Sequence, residues 1–348
     1  MSMDELYMQR CIELARLGLG RTAPNPMVGA VVVHGDRIIG EGYHQKYGDH
    51  HAEVRAIEMV RNKALLPQST LYVSLEPCCH YGKTPPCTNL IIEHNIPRVV
   101  IGTADPFDAV AGKGIARLRS SGCNVTVGVL KDQCRQINKR FFTFHEKKRP
   151  YVILKWAQTA DGFIDTERLP STEKRPTWIT SEKLRLLVHK WRAEEPAILV
   201  GTNTALKDNP RLNVRDWSGP SPLRIVIDRN LKLGSTQSLL DNSQPTWVVN
   251  EQQERTLQNT HFIRLSFDKH LFRNIFSMLH QKNIQSLIIE GGRTVLQTII
   301  DDNMWDEARV FVGTQFFGKG IRAPEIPPPK PASQIIIGME SFFWFRNL

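Results

Sequence analysis

No stretch of the 348-residue chain approaches eighteen consecutive apolar residues, which argues against a helix that spans a bilayer. The opening MSMDELYMQRCIELARLGLG lacks the basic stretch and apolar run of an export signal. It is acidic early and then amphipathic, the pattern of a first helix. Cysteine is absent after position 134, although six occur before it, at 11, 78, 79, 87, 123 and 134. A disulfide-stapled secreted protein would not confine its cysteines this way. A cytoplasmic setting is expected, where reduced thiols serve metals or catalysis. No G-x-G-x-x-G follows an early strand, which disfavours an ordinary Rossmann domain. The second half has no cysteine and no histidine cluster, so metal chemistry is not expected there, and its segments do not repeat those of the first.

The length exceeds what one core usually serves, so two domains are expected. Hydrophobic content of 41% and charged content of 23% are ordinary for a globular protein. The formal charge is +10, and residues 1–150 carry 20 Lys and Arg against 14 Asp and Glu. The excess is therefore spread over both halves and not gathered into an arm. Its densest piece is NKRFFTFHEKKRP (138–150), which reads as a solvated linker. Nucleic acid could use such charge, but sites for anionic small molecules account for it equally.

After the first helix, with Leu6, Met8, Ile12, Leu14 and Leu17 as its apolar spacing, TAPNPMVG is a loop and AVVVHGDRIIGEGYH a hairpin. HAEVRAIEMVRNKA reads as a helix with Val54, Ile57 and Val60 inward. TLYVSLEP is a buried strand, and TPPCTNLIIEHN a helix with Thr84 as N-cap and Pro85 at its first position. Strand, helix, strand and helix follow through RVVIGTADP, GKGIARLRSSG, CNVTVGV and LKDQCRQINKRFFTF. This is an α/β layer with a mixed sheet. From PYVILKWAQTADG onward strands and helices alternate again, ending in the strand pair of IIIGMESFFWF.

LEPCCHYGKTPPC (75–87) places three cysteines and a histidine in thirteen residues, and His51-Ala52-Glu53 stands upstream at the start of a helix. A zinc deaminase needs three protein ligands, an open position, and a carboxylate that moves protons without ligating. The motif for this is H-x-E followed by P-C-x-x-C. His51, Glu53, Pro77 and Cys78 match it, but the last cysteine, Cys87, is nine residues on instead of three. Two sulfurs need only reach one point about 2.3 Å from each. A looped-out segment between a strand end and a helix start allows that. Cys79 diverges from Cys78, and His80 would be a fourth ligand that closes the open position. A structural zinc knuckle is the competing interpretation of the cluster. In the second half SLIIEGGRTVLQTII is strand, Gly-Gly, helix. That is either a plain tight turn or a place where backbone amides approach a phosphate.

The motifs NPMVGAVVV, GEGYH, HAEVRAI, LEPCCHYGKTPPC and VAGKGI, with TWITS, LKDNPRL, RIVID and IIEGG in the second half, resemble those of the bifunctional riboflavin-biosynthesis deaminase/reductase family over nearly the whole chain. The resemblance implies an α/β protein: a cytidine-deaminase-like three-layer domain over 1–147 and a dihydrofolate-reductase-like domain over 148–348. The first would be a zinc-dependent hydrolase acting on a phosphorylated diaminopyrimidine, the second an NADPH-dependent oxidoreductase reducing its ribosyl group. Carried over by position, His51, Cys78 and Cys87 hold zinc, Glu53 shuttles the proton, and Asn25, His80, Lys83 and Asp105 contact the substrate. In the reductase half Gln158, Trp178, Thr204, Asp208, Gly291, Gly292, Arg293 and Thr294 contact the cofactor. Lys155, Arg192, Leu212, Arg215 and Glu290 contact substrate.

Three residues depart from the pattern. Cys79 replaces a usual Ser, Phe107 stands where Asn of a D-P-N-P segment is expected, and Gln158 stands where a small residue is usual. Taken alone, Trp178 could equally be a core anchor. The expected partner is a small phosphorylated pyrimidine, with neither nucleic acid nor membrane. A homo-oligomer is allowed but not specified by any motif. The rival is a nucleic-acid base deaminase with an accessory domain.

Overall fold

The structure, a computed structural model, describes residues 1–81, 85–107, 110–168, 176–327 and 331–347. The chain forms two compact units, 1–148 and 149–348.

The first unit follows from strict alternation in its central strands. In β1 (Gly29–His34), Ala30 and Val32 face one way, Val31 and Val33 the other, and all four are buried. β3 (Ser69–Leu75) repeats this with Leu71 and Val73 against Tyr72, and β4 (Arg98–Thr103) with Val99 and Ile101 against Val100. A sheet apolar on both faces needs helices on both. One face receives α2 (Ala52–Met59), α3 (Cys87–Glu93) and α4 (Lys113–Ser120); the other receives α1 (Met3–Arg16) and Cys134 of α5 (Lys131–Ile137). With β2 (Arg37–Tyr43) and β5 (Asn124–Val127) the sheet order is β2-β1-β3-β4-β5. β1 is antiparallel to both its neighbours, while β3, β4 and β5 are parallel.

The second unit contains a ten-stranded sheet. Its strands and helices are β6 (Tyr151–Gln158), β7 (Phe163–Asp165), α7 (Glu182–Glu194), β8 (Ala197–Gly201), α8 (Thr202–Asp208), β9 (Leu223–Ile227), β10 (Thr246–Asn250), β11 (Arg255–Leu257), β12 (Thr260–Arg264), α9 (Leu271–Gln281), β13 (Ser286–Ile289), α10 (Arg293–Asp301), β14 (Glu307–Val312), β15 (Ile321–Arg322), β16 (Ser333–Ile337) and β17 (Glu340–Arg346). The order is β11-β12-β10-β9-β8-β13-β6-β14-β17-β16, parallel from β12 to β14 and antiparallel at both edges. β7 and β15 form a separate pair. α9 and α10 cover one face through Ile275, Leu279 and Leu296; α7 and α8 cover the other through Val188, Trp191 and Ala205.

Several expectations need correction. The basic run at 138–150 is mostly a helix, α6 (Lys139–Lys147), not a solvated linker. Phe141, Phe142, Thr143 and Phe144 bury one side, so the cations mark only its outer face. The single helix expected from 130 breaks at Asn138, whose side chain instead bonds the amide and carbonyl of Met27 at 2.8 Å each. Leu6 on α1 and Leu17 at its C-cap are exposed, and the buried stripe is Tyr7, Met8, Cys11, Ile12, Leu14 and Ala15. In α2 the inward residues are Ala52, Glu53, Ala56 and Ile57, with Val54 only partly covered. α3 starts at Cys87 with Pro86 in the cap position; Thr84 lies outside the described residues. The short α8, β11 and β12 were not anticipated.

α1 crosses β1 so closely that a Cβ on Gly29 would sit 2.0 Å from the Cys11 carbonyl oxygen, part of a helix that cannot move aside cheaply. Gly29→Ala is therefore expected to destabilise the first unit by about 2 kcal/mol. The readout is faster amide exchange across β1, β2 and β3 by mass spectrometry.

Two candidate active sites

In the first unit β3 ends at Leu75, and Pro77 has no amide to continue a ladder. Between them Glu76 is buried and its carboxylate accepts three backbone amides: Asp105 (3.2 Å), Gly112 (3.0 Å) and Ile115 (3.1 Å). The strand end is thereby tied to the loop that leads into α4, and Cys78 follows at once. His51 is in the N-cap position of α2, extended, and makes no capping bond, so its ring is free to turn elsewhere. Its Nδ1 lies 3.5 Å from Cys78 Sγ and 3.3 Å from Cys87 Sγ. The three ligand atoms fall within 4.8 Å of one another, the one such group among the described residues.

The first amide of α3 points at Cys78 Sγ from 3.3 Å. Hydrogen bonds from the Cys87 thiol and from His51 push the Cys78 thiol down to about 4, while Cys87 is pushed up, so the pair shares one proton. Two sulfurs and one imidazole in this arrangement fit tetrahedral zinc with a fourth position open, the arrangement of catalytic sites. Glu53, in the first turn of α2, is 3% exposed and hydrogen-bonds the Cys87 side chain. Burial pushes its carboxyl up to about 7. A carboxyl so placed can exchange a proton near neutrality.

Around this centre Asn25 Nδ2 is 3.2 Å from His44 Nε2, and His44 Nδ1 is 3.2 Å from the carbonyl of His50. A carbonyl only accepts, so the His44 proton sits on Nδ1 and Nε2 receives the Asn25 amide hydrogen. Asn25 Oδ1 is left as its acceptor. His44 was passed over because GEGYH carries no ligand spacing. Burial pushes the Asp105 carboxyl up to about 7, and its Oδ1 accepts the Phe107 amide at 2.8 Å. His80 is exposed and Cys79 partly buried; neither joins the ligand group. Lys83 lies outside the described residues.

In the second unit a cavity of about 840 Å³ opens where β6, β8 and β13 end. Lys155, Trp178, Arg192, Thr204, Asp208, Leu212, Arg215, Glu290, Gly291, Gly292, Arg293 and Thr294 all line it. Gln158 does not, because its Oε1 accepts the Trp156 indole N–H at 2.8 Å. Trp178 is exposed beside the cavity, with the Arg185 guanidinium 5.5 Å from its ring, so it is no core anchor. At the inner wall Arg192 holds Glu290 with two bonds, 3.0 and 2.7 Å. Burial alone would raise the Glu290 carboxyl, but Arg192 and Lys155 together bring it down to about 2. Lys155 is pushed down by its own burial. Burial and the Arg168 pair act oppositely on Asp208, and burial prevails, raising its carboxyl to about 6.

Sequence reasoning missed His189 and Asp216, which lack any local motif. His189 is buried, accepts the Arg215 amide at Nδ1 (3.3 Å), and sets Nε2 3.3 Å from Asp216. Gly291 has φ +135°, a conformation that favours glycine, and beside the Gly291–Gly292 pair only Thr204 comes within 4 Å of an added Cβ. A bare backbone leading into the α10 N-terminus on a large cavity fits a cofactor phosphate.

The cytidine and deoxycytidylate deaminase zinc-binding region matches residues 1–103, and the RibD C-terminal domain matches 150–334. The riboflavin biosynthesis protein RibD of Aquifex aeolicus is 40% identical over 92% of this chain and 89% of its own; that of Bacillus amyloliquefaciens is 39% identical over 93% and 88%. The chain belongs to the RibD family. A solved Thermotoga maritima structure, described as a diaminohydroxyphosphoribosylaminopyrimidine deaminase/5-amino-6-(5-phosphoribosylamino)uracil reductase, superposes with TM-score 0.88 at 40% identity, covering 99% of this chain and 98% of that one. The protein is thus a bifunctional deaminase and reductase of riboflavin biosynthesis, with a cytidine-deaminase-like domain followed by a dihydrofolate-reductase-like one. Its cofactors are zinc and NADPH. No helix among the described residues is long and apolar enough to cross a membrane.

The Glu290 carboxyl lies below its ordinary 4.5. Its contribution to stability is complete above that pH and disappears as pH falls toward about 2. Glu290→Gln is expected to weaken the second unit near neutrality, where Arg192 loses its partner, and to flatten the acid limb between those pH values. Tryptophan fluorescence reads this unit alone, since all seven tryptophans lie beyond residue 148.

Proposed function

We propose that residues 1–147 deaminate 2,5-diamino-6-(5-phosphoribosylamino)pyrimidin-4-one, and that residues 148–348 then reduce the ribosyl side chain to give 5-amino-6-(5-phosphoribitylamino)uracil. The observation that carries this is the approach of His51, Cys78 and Cys87 to within 4.8 Å, with buried Glu53 bonded to Cys87. His51 Nδ1 and the two thiolates hold the zinc. Zinc bound there supplies Lewis acidity, which lowers the pKa of a water to about 7. Glu53 takes up the proton that water gives and delivers it to the departing amino group, so one C–N bond breaks, one C–O bond forms and ammonia leaves. Asn25 Oδ1 and Asp105 read the pyrimidine edge; His80 and Lys83 meet the phosphoribosyl end.

In the second cavity Thr204, Asp208, Gly291, Gly292, Arg293, Thr294 and Trp178 hold NADPH, which supplies the hydride. Gln158, turned toward Trp156, contributes at most its backbone. Lys155, Arg192, Leu212, Arg215 and Glu290 form the substrate wall. Arg192 is committed to Glu290, so Glu290 stays charged and can accept from ribose hydroxyls, while Arg215 is the more available cation for the phosphate. Six cysteines with none in a disulfide support a cytoplasmic setting, and a positive charge spread over both halves, which sites for anionic small molecules account for, is compatible with a free pyrimidine as substrate. A homo-oligomer is compatible with this function and is not required by it.

Supplied with the diaminopyrimidine, the purified protein should release ammonia and then oxidise NADPH, the two followed separately. Glu53→Gln should keep its zinc and lose deamination by at least about a hundredfold, while still oxidising NADPH with the deaminated intermediate. Unchanged deamination would remove Glu53 from this role. Cys87→Ser should lower zinc content and deamination together, leaving the reductase intact.

A further inference from the structure

Phe107 is a large apolar ring that is 39% exposed and belongs to none of the core clusters. It sits on the loop that Glu76 pins beside the metal ligands, and its amide is bonded to Asp105. The ring does not stand alone. His80, two residues beyond Cys78, meets it edge-on with centroids 6.3 Å apart, and His145 of α6 packs on it at 5.1 Å. His145 in turn lies against Phe141 at 4.4 Å and Phe144 at 5.2 Å, both buried. A row of rings thus runs from the core outward through His145 and Phe107 to the metal loop. A partly hydrated ring backed by buried ones favours a flat, weakly polar surface as its cover.

We propose that Phe107, backed by His145, stacks on the pyrimidine ring of the deaminase substrate and sets its position beside the His51, Cys78 and Cys87 centre. This rests on the deaminase reading above and adds a binding residue to it. A stacking ring is tolerant of edge chemistry and selects for flatness, whereas Asn25 and Asp105 select by hydrogen bonding.

The test is steady-state ammonia release from the diaminopyrimidine by the zinc-loaded full chain and by Phe107→Leu, Phe107→Tyr and His145→Ala. Losing the flat ring in Phe107→Leu should raise KM about tenfold with kcat within about twofold. Phe107→Tyr should keep KM near that of the parent, and His145→Ala should raise it by a smaller factor. Zinc content and NADPH oxidation with the deaminated intermediate serve as folding controls and should not move. An unchanged KM in Phe107→Leu, or equal rises in the Leu and Tyr variants, would overturn stacking while the deaminase assignment stands. Absence of ammonia release from the parent protein would instead overturn that assignment and this inference with it.

Discussion

Backbone groups at the carboxyl end of a parallel strand have lost their ladder partners, and that constraint organises both sites. In the first unit the solution is a side chain: Glu76 gathers three amides from the far loop, and the next residue but one is Cys78. In the second unit the solution is backbone to backbone. Gly201 at the end of β8 bonds the Gly291 carbonyl, and Glu290 at the end of β13 bonds the Leu199 carbonyl, at 3.0 Å each. Either way a strand end is held rigid and the residue after it is presented to a cleft, which is where ligands bind in open α/β sheets.

How much of this was legible follows from whether a signal is local. His51, Glu53, Cys78 and Cys87 could be found because ligand chemistry restricts residue type and spacing. The looped-out interval between the cysteines needed only a strand before it and a helix after it. The faces of α1 and α2 were harder. Ala15, Ala52 and Ala56 are small enough to be pressed against the sheet, while Leu6 and Leu17 are left out, and hydrophobicity alone ranks them the other way. α6 was legible only as the tail of one helix from Leu130: the break at Asn138 has no local signal, and the lysines and arginine after it disguise the end of a helix that buries three phenylalanines. His189 and Asp216 could not be found at all, because their pairing exists only once α7 meets the loop after residue 212. Gln158 is a different case: it stands where a small residue is usual, and its side chain turns to Trp156 instead of the cavity.

The reductase cavity pays for its charges unusually. Lys155, Arg192 and Glu290 are removed from water together, and a buried ion group of this kind is weak evidence for stability, because desolvation offsets much of the attraction. Its consequence is electrostatic instead. Glu290 is kept ionised by two cations, one fixed by a two-point bond and one, Lys155, whose own charge is disfavoured by burial. The carboxylate is therefore a fixed acceptor facing the cavity at any pH the protein works in.

The same logic, applied to the three carboxyls near Cys78, separates their roles by hydrogen bonding. Glu76 commits both oxygens to amides and is structural. Asp105 accepts one amide, from Phe107, and so is tied to the loop that carries that ring. Glu53 has the Cys87 side chain for company and the deepest burial of the proposed functional pair, with no neighbouring guanidinium to hold its proton off. Of the three it is the carboxyl with least to hold in place, which is what a proton carrier beside a metal centre requires. The fold assigns the other two to geometry, and the division is set by where amides are left over at the ends of β3 and β4.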